Sequence, residues 1–292
     1  MRVLFATDGS SDARAAAAFL RRLPWAAGSR LRIVSVIEPR PSPLDLPGVQ
    51  GYYDALAAEG GRVVDEARIS LSGAAPSETA LLGGVPRDEI VREATDWEAD
   101  LVVVGARGLG LVDAWLLGSV SLAVARRVEC AVLIVKGEGR RFERVVIGLD
   151  GSDEAANAAS FVAGWPLDAR HSVRLIGVVE PVHFPTTAPD LIRPQLAATV
   201  RELKAERRLE LSKALDQVAP LFETHGVTVS RETPEGHPAD VITAAAEADT
   251  DLVVVGARGL GGVKRLLLGS VSENVLRAAL SPVLIVRRPL SA

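Results

Sequence analysis

Residues 100–121 read DLVVVGARGLGLVDAWLLGSVS, and residues 251–272 read DLVVVGARGLGGVKRLLLGSVS. The two stretches align without a gap at an offset of 151 residues and differ at four positions: Leu111/Gly262, Asp113/Lys264, Ala114/Arg265 and Trp115/Leu266. A repeat of this period is too long for a solenoid unit and fits a whole domain. Each copy opens on a continuous apolar run (101–104 and 252–255), the pattern of a strand buried on both faces of a parallel sheet. Glycines follow at fixed spacing: Gly105-x-x-Gly108, nine residues, then Gly118-Ser119, and again Gly256-x-x-Gly259, nine residues, then Gly269-Ser270. A glycine after a buried strand lets backbone N–H groups approach a ligand without a Cβ in the way. A helix opening at Gly-Ser offers unpaired N–H donors and a partial positive charge, and Ser119 or Ser270 adds a hydroxyl. The two pieces can converge on one polyphosphate. The spacing is neither a Walker loop, which needs Gly-Lys-Ser/Thr, nor the dinucleotide fingerprint. The competing reading, a plain strand-to-helix turn built on positive φ, is weakened by the full spacing occurring twice.

Outward from the motif, each half alternates apolar strands with helices. In the first half, strands are expected at 3–6, 31–37, 78–82, 101–104 and 131–135. Helices are expected at 12–23, with Ser10 or Ser11 as N-cap, at 53–71, from Pro86 to about Trp97, and from Gly118-Ser119 onward. Residues 39–51, with four prolines and two glycines, read as a loop. The second half repeats the plan, with strands at 145–149, 173–179, 228–232, 252–255 and 283–286 and a charged helix at 196–222. The front strands align at an offset of 142 (Asp8 to Asp150), so the nine extra residues fall in the middle of the second half. The expected domains are 1–138 and 142–292, each a doubly wound α/β fold with a parallel sheet. Their linker, 136–141, is short enough to make the halves pack together.

Composition narrows the function classes. The 292 residues are 48% apolar and 24% charged, as in a soluble globular protein, and only 4% aromatic, so Val, Leu, Ile and Ala must build the cores. A formal charge of −4 supplies no basic field for nucleic acid. Cys130 is the single cysteine, which excludes an internal disulfide, fits a reducing compartment and suits a small buried residue. No apolar run is long enough to span a bilayer, and the start MRVLFATDGS has no secretory pattern, so no membrane partner and a cytoplasmic location are expected.

Asp8 and Asp150 each end the first strand of a half, inside a repeated Asp-Gly-Ser. Ligands of open α/β sheets sit at the carboxyl ends of strands where the strand order reverses. If the first and fourth strands are neighbours, each carboxylate faces its glycine loop, where it can accept from ribose hydroxyls or hold a metal on the phosphates. The tripeptide also suits a simple turn and helix cap.

With these residues in view, the chain resembles the ATP-binding branch of the universal stress protein family in its tandem two-domain form. The glycine pattern, Asp-Gly-Ser, the Val-x-Glu-Pro after the second strand, the Gly-x-Pro helix start and the closing Val-Leu-Ile-Val strand carry the resemblance. It covers nearly the whole chain except 39–75 and 181–225. The resemblance implies an adenine nucleotide alpha hydrolase-like fold, with five-stranded parallel sheets ordered 3-2-1-4-5 whose final strands pair edge to edge as an intramolecular pseudo-dimer. It leaves further assembly, a homodimer included, and the protein partner open. It also implies ATP with Mg²⁺ as ligand. Asp8 and Asp150 would contact ribose, with Thr7 and Leu149 beside them, and Val36 and Val178 would meet adenine through their backbone. Gly105, Gly108, Gly118, Ser119 and Val120, with Gly256, Gly259, Gly269, Ser270 and Val271, would cradle phosphates. Arg107 and Arg258 stand inside the glycine loops, within reach of a phosphate or of the neighbouring half.

The first half departs from the family after its Gly-Ser, reading SVSLAV where the second reads SVSENV, and Asp113 and Trp115 replace Lys264 and Leu266. The two sites are therefore expected to differ in affinity. His171, His183, His225 and His237 are scattered, with only His237 near the expected crevice, and no cluster has metal-ligand spacing. Trp25, Trp97, Trp115 and Trp165 read as packing residues, and 200–213 as a solvated helix face. The leading function is a nucleotide-dependent stress-response regulator without strong catalysis. The alternatives are a slow ATPase or phosphate-transferring enzyme using Asp8 or Asp150, and a partner-binding scaffold whose glycine motif serves folding.

Overall fold

The computed structural model describes residues 1–38, 49–109, 117–137, 141–182, 193–224, 226–247, 250–259 and 268–287. The first half runs β1 (Arg2–Ala6), α1 (Ser11–Leu20), β2 (Arg30–Ile37), α2 (Val49–Ser70), β3 (Ser77–Gly83), α3 (Pro86–Asp96), β4 (Leu101–Gly105), α4 (Ser119–Arg127) and β5 (Ala131–Val135). The second runs β6 (Arg144–Gly148), α5 (Asp153–Ala163), β7 (Ser172–Ile176), α6 (Arg193–Val218), α7 (Pro220–Glu223), β8 (Thr228–Glu232), α8 (Pro238–Glu247), β9 (Leu252–Gly256), α9 (Ser270–Ala278) and β10 (Val283–Val286).

Strand order is β3-β2-β1-β4-β5-β10-β9-β6-β7-β8, so each half has the order 3-2-1-4-5 and the two join in one ten-stranded sheet. All pairings within a half are parallel; the seam between β5 and β10 is antiparallel, with Leu284 opposite Leu133. The seam pairs two strands whose every residue is buried, and it leaves the outer edges to β3 and β8, which are partly exposed and carry Glu78, Arg231 and Glu232. Charge on an open edge discourages pairing with another chain.

Alternate strand residues feed two apolar layers. Val3, Phe5, Leu101, Val103 and Leu284 pack under α1, α2, α5 and α6, while Leu4, Val102, Val104, Val253 and Ile285 pack under α3, α4, α8 and α9. Each layer contains residues of both halves, so the core runs unbroken across the seam.

Several boundaries differ from the sequence expectation. The loop expected at 39–51 ends earlier, because α2 begins at Val49; residues 39–48 lie outside the described residues. Helix α1 stops at Leu20 instead of 23, as tightened turns carry Arg22 and Leu23 toward Pro24, which disfavours a helical residue before it. Ser10 is the N-cap and accepts from the Ala13 N–H. Strand β7 stops at Ile176 rather than 179: β6 ends at Gly148 and turns away, leaving 177–179 paired on one side only, through Gly177 N–H to the Glu232 carbonyl and Val179 N–H to the Pro234 carbonyl. Cys130 is half-buried rather than buried, because it sits in the turn between α4 and β5.

Candidate functional site

Strand β1 lies between β2 and β4, and β6 between β7 and β9, so Asp8 and Asp150 do stand at the points where strand order reverses. In the first half, Asp8 reaches across the crevice: its Oδ2 accepts from the Leu109 N–H at 3.2 Å, and its Oδ1 from the Ser10 N–H at 3.0 Å. In the second half, Asp150 Oδ1 accepts from the Ser152 N–H at 2.9 Å and from Ser152 Oγ at 2.5 Å. Leu260, the counterpart of Leu109, lies outside the described residues.

None of the six motif glycines has positive φ, so they are there for space. A Cβ at Gly105 would stand 2.7 Å from the Ala13 nitrogen, and one at Gly256 2.9 Å from the Glu154 carbonyl carbon. The first glycine thus lets the start of α1 or α5 press against the end of the fourth strand of its half, a reason different from ligand approach. A Cβ at Gly108 would stand 2.6 Å from Asp8 Oδ2, and Gly259 meets Asp150 Oδ2 in the same way, so the second glycine makes room for the carboxylate. Gly118 and Gly269 are the N-caps of α4 and α9, and neither helix has a side-chain cap. By contrast α1 and α5 are capped by Ser10 and Ser152. The first-turn N–H groups of α4 and α9 therefore face outward uncapped, next to the loop that Gly118 N–H and Gly269 N–H tether to the Ala106 and Ala257 carbonyls at 2.8 Å.

The second half opens into a cavity of about 470 Å³. Its walls include all nine residues expected there: Leu149, Asp150, Val178, Gly256, Arg258, Gly259, Gly269, Ser270 and Val271. Ile176, Ile242, Val255 and Leu268 add an apolar side, Glu180 a second carboxylate, and Arg207 a second guanidinium. The volume suits a small-molecule ligand. In the first half, the Asp8–Leu109 bond and the Gly118–Ala106 tether gather Asp8, Arg107, Gly108 and Gly118 at one place. Thr7 is buried and its Oγ1 accepts from the Gly9 N–H, Val36 sits on the adjoining β2, Ser119 is exposed and Val120 half-buried. Gly110 through Leu116, including Asp113 and Trp115, and residues 260–267 lie outside the described residues.

The two loop arginines have opposite surroundings. Arg107 forms a two-point ion pair with Asp12, Nε to Oδ2 at 2.8 Å and Nη2 to Oδ1 at 3.0 Å, which holds its guanidinium above its ordinary pKa. Arg258 has a buried Nε with no hydrogen-bond partner among the described residues. Sequence reasoning missed Arg207: within the charged run at 200–213 it resembled any solvated cation, yet its Nη2 donates to the Asp150 carbonyl at 2.8 Å on the cavity wall. His237 is exposed and outside the cavity lining, which its neighbour Pro238 joins; His171 is buried beside Phe142, and His183 and His225 lie outside the described residues. Trp165 is buried against Phe142 and Phe161, and Trp25 donates to the Leu20 carbonyl, both as packing residues. Among the described residues no cluster of three His, Cys, Asp or Glu could hold a metal, and no helix is long and apolar enough to cross a membrane.

Residues 1–136 and 141–287 each match the universal stress protein family. The chain belongs to that family. It carries two tandem universal stress protein units. A universal stress protein of Mycobacterium tuberculosis is 28% identical over 289 residues, covering 93% of this chain and 89% of its own. Others, from Mycobacterium bovis and Mycobacterium tuberculosis, are 34% identical over 199 residues, 65% of this chain, and the match spans only 63% of their length. A solved universal stress protein from Archaeoglobus fulgidus superposes with a TM-score of 0.66 at 22% identity, covering 99% of this chain and 97% of that one, and at that identity it speaks for the fold alone.

Proposed function

We propose that this universal stress protein is a nucleotide-dependent regulator that binds ATP in its sheet-top clefts. The observation that carries the reading is the convergence, on one cavity of about 470 Å³, of an uncapped helix start at Gly269–Ser270–Val271, a partly buried arginine and the Asp150 carboxylate. The helix N–H groups and Arg258 suit the phosphates, Asp150 suits ribose hydroxyls, and the backbone beside Val178, next to the apolar wall, suits adenine. Mg²⁺ fits as an ion carried in on the phosphates, since among the described residues the cavity supplies only the carboxylates of Asp150 and Glu180 and such ions keep most of their water. A bound nucleotide would fix the loops around the cleft in one arrangement for a partner to read, in a protein working in the cytoplasm.

The test is thermal melting of the full chain with ATP and Mg²⁺, then with AMP and GTP. Ligand at a hundred times its dissociation constant should add about 2.7 kcal/mol of stability. No shift with any nucleotide, together with none in the purified protein, rejects the reading.

A further inference from the structure

We propose that the two clefts are unequal: the second-half cleft is a nucleoside di- or triphosphate site gripped by Arg258 and Arg207, while the first-half cleft is closed on itself by Asp12, so that each chain holds one nucleotide. This rests on the reading above and adds stoichiometry and specificity to it.

Arg107 and Arg258 are the same position of the repeat. In the first half Asp12 is buried, and its charge is met by the two bonds from Arg107 and, without a bond, by the nearby Lys136 ammonium. Turning Arg107 toward a phosphate would take from this buried carboxylate both of the bonds that Arg107 makes to it. The loop is tied a second time, because Ser10 Oγ donates to the Arg107 carbonyl at 3.1 Å. In the second half both ties differ. Glu154 stands where Asp12 stands, and no ion pair joins it to Arg258 among the described residues. Ser152 Oγ donates to Asp150 instead of to the loop.

Arg258 is therefore a cation whose buried Nε has no partner among the described residues, on the wall of a cavity, with a second cation close by: burial, and after it the charge of Arg258, push the Arg287 guanidinium down. Buried charged donors are ordinarily paired, and an anion in the cleft is the partner that completes this one. Arg207 faces it from α6, steadied by its bond to the Asp150 carbonyl. In the first half the position matching Arg207 is Leu56, taking buried Val64 and Leu215 as equivalents. Two guanidinium groups and a helix start on one cleft favour a chain of phosphates over a single one.

The experiment combines mass spectrometry of the intact chain under non-denaturing conditions with calorimetric titration by ATP, ADP and AMP. The expected result is one nucleotide per chain, with AMP bound at least tenfold more weakly than ATP. Arg258→Gln should weaken ATP tenfold or more and AMP far less, Arg258→Lys should fall between, and the surface variant Arg170→Gln should bind as the parent does. Melting curves check that each variant folds. Asp12→Asn, which frees Arg107, should raise the occupancy of a second nucleotide. Two equal sites per chain, or equal losses from Arg107→Gln and Arg258→Gln, overturn the proposal and leave nucleotide binding standing. Absence of any nucleotide binding removes both.

Discussion

A Cβ at Gly256 would stand 2.9–3.1 Å from three backbone atoms of Glu154 and Ala155, none of which can move without shifting the start of α5. At Gly259 the obstacle is the Asp150 carboxylate, the free end of a side chain. The two glycines of one motif should therefore respond differently to the same methyl group. Gly256→Ala should cost roughly 1–3 kcal/mol of stability, read by denaturant unfolding, because overpacking against backbone is hard to relieve. Gly259→Ala should cost less than about 1 kcal/mol while weakening ATP binding severalfold, since Asp150 must turn away. Equal stability losses would show that the carboxylate is as fixed as the backbone. The spacing of these glycines was legible in the sequence, because the repeat displayed it twice. The purpose of each was not, because a glycine records only that a side chain is missing. The same limit hid Arg207: among the arginines, lysines and glutamates of α6 nothing in the letters says which cation bends over a cleft.

At the scale of elements, α4 and α9 are treated alike at both ends. Each starts on an uncapped glycine beside a cleft and ends on carbonyls held by a cation from the other half. Lys136 Nζ, just past β5, donates to the Leu276 and Ala279 carbonyls at the end of α9, and Arg287, at the matching position past β10, donates to the Ala125 and Arg126 carbonyls at the end of α4. Cations at a helix C-terminus complement its dipole. Burial pushes the Lys136 ammonium down from 10.5 to about 8, with the nearby Arg107 adding to the effect and Asp12 opposing it. The unfolded chain then binds more protons than the folded one between these values, so the lysine's contribution to stability rises with pH across that window and is least favourable below about 8. The difference in unfolding free energy between the parent and Lys136→Met should grow from about pH 7 to about pH 10; a flat or falling difference would count against this placement of the charge. The helices and strands themselves were readable from caps, prolines and apolar runs. Their ends were less so: β7 stops early because its neighbour turns away, a tertiary fact absent from Val173–Val179 taken alone. The crossed cations were equally invisible, since each is a lone basic residue after a strand.

For the whole molecule, the seam decides how far the halves are separate. Antiparallel pairing of β5 with β10 places Leu133 against Leu284 in the middle of a ten-stranded sheet. Around it stand the crossed cations and, among the described residues, one ion pair between halves, Arg126 to Glu273 at 2.7 Å, which holds the Glu273 carboxyl below the usual range. That pair is partly exposed and contributes about 0–1 kcal/mol; it also has no mirror image, because the first half carries Leu122 where the second carries Glu273. The pseudo-symmetry is therefore kept in the strands and relaxed on the helices, as it is relaxed in the clefts. The apolar seam outweighs such pairs. In a half cut away from its partner, β5 would present five buried residues, AVLIV, as an open edge, and an apolar unpaired edge recruits another strand. Residues 1–138 expressed alone should therefore form a dimer through β5, seen by light scattering coupled to size-exclusion chromatography at micromolar concentration, and Leu133→Lys, a charge in the centre of that strand, should abolish the dimer. A stable monomer of the unaltered half would mean that the helices of one layer suffice to cover the edge, and that the seam joins two domains already complete.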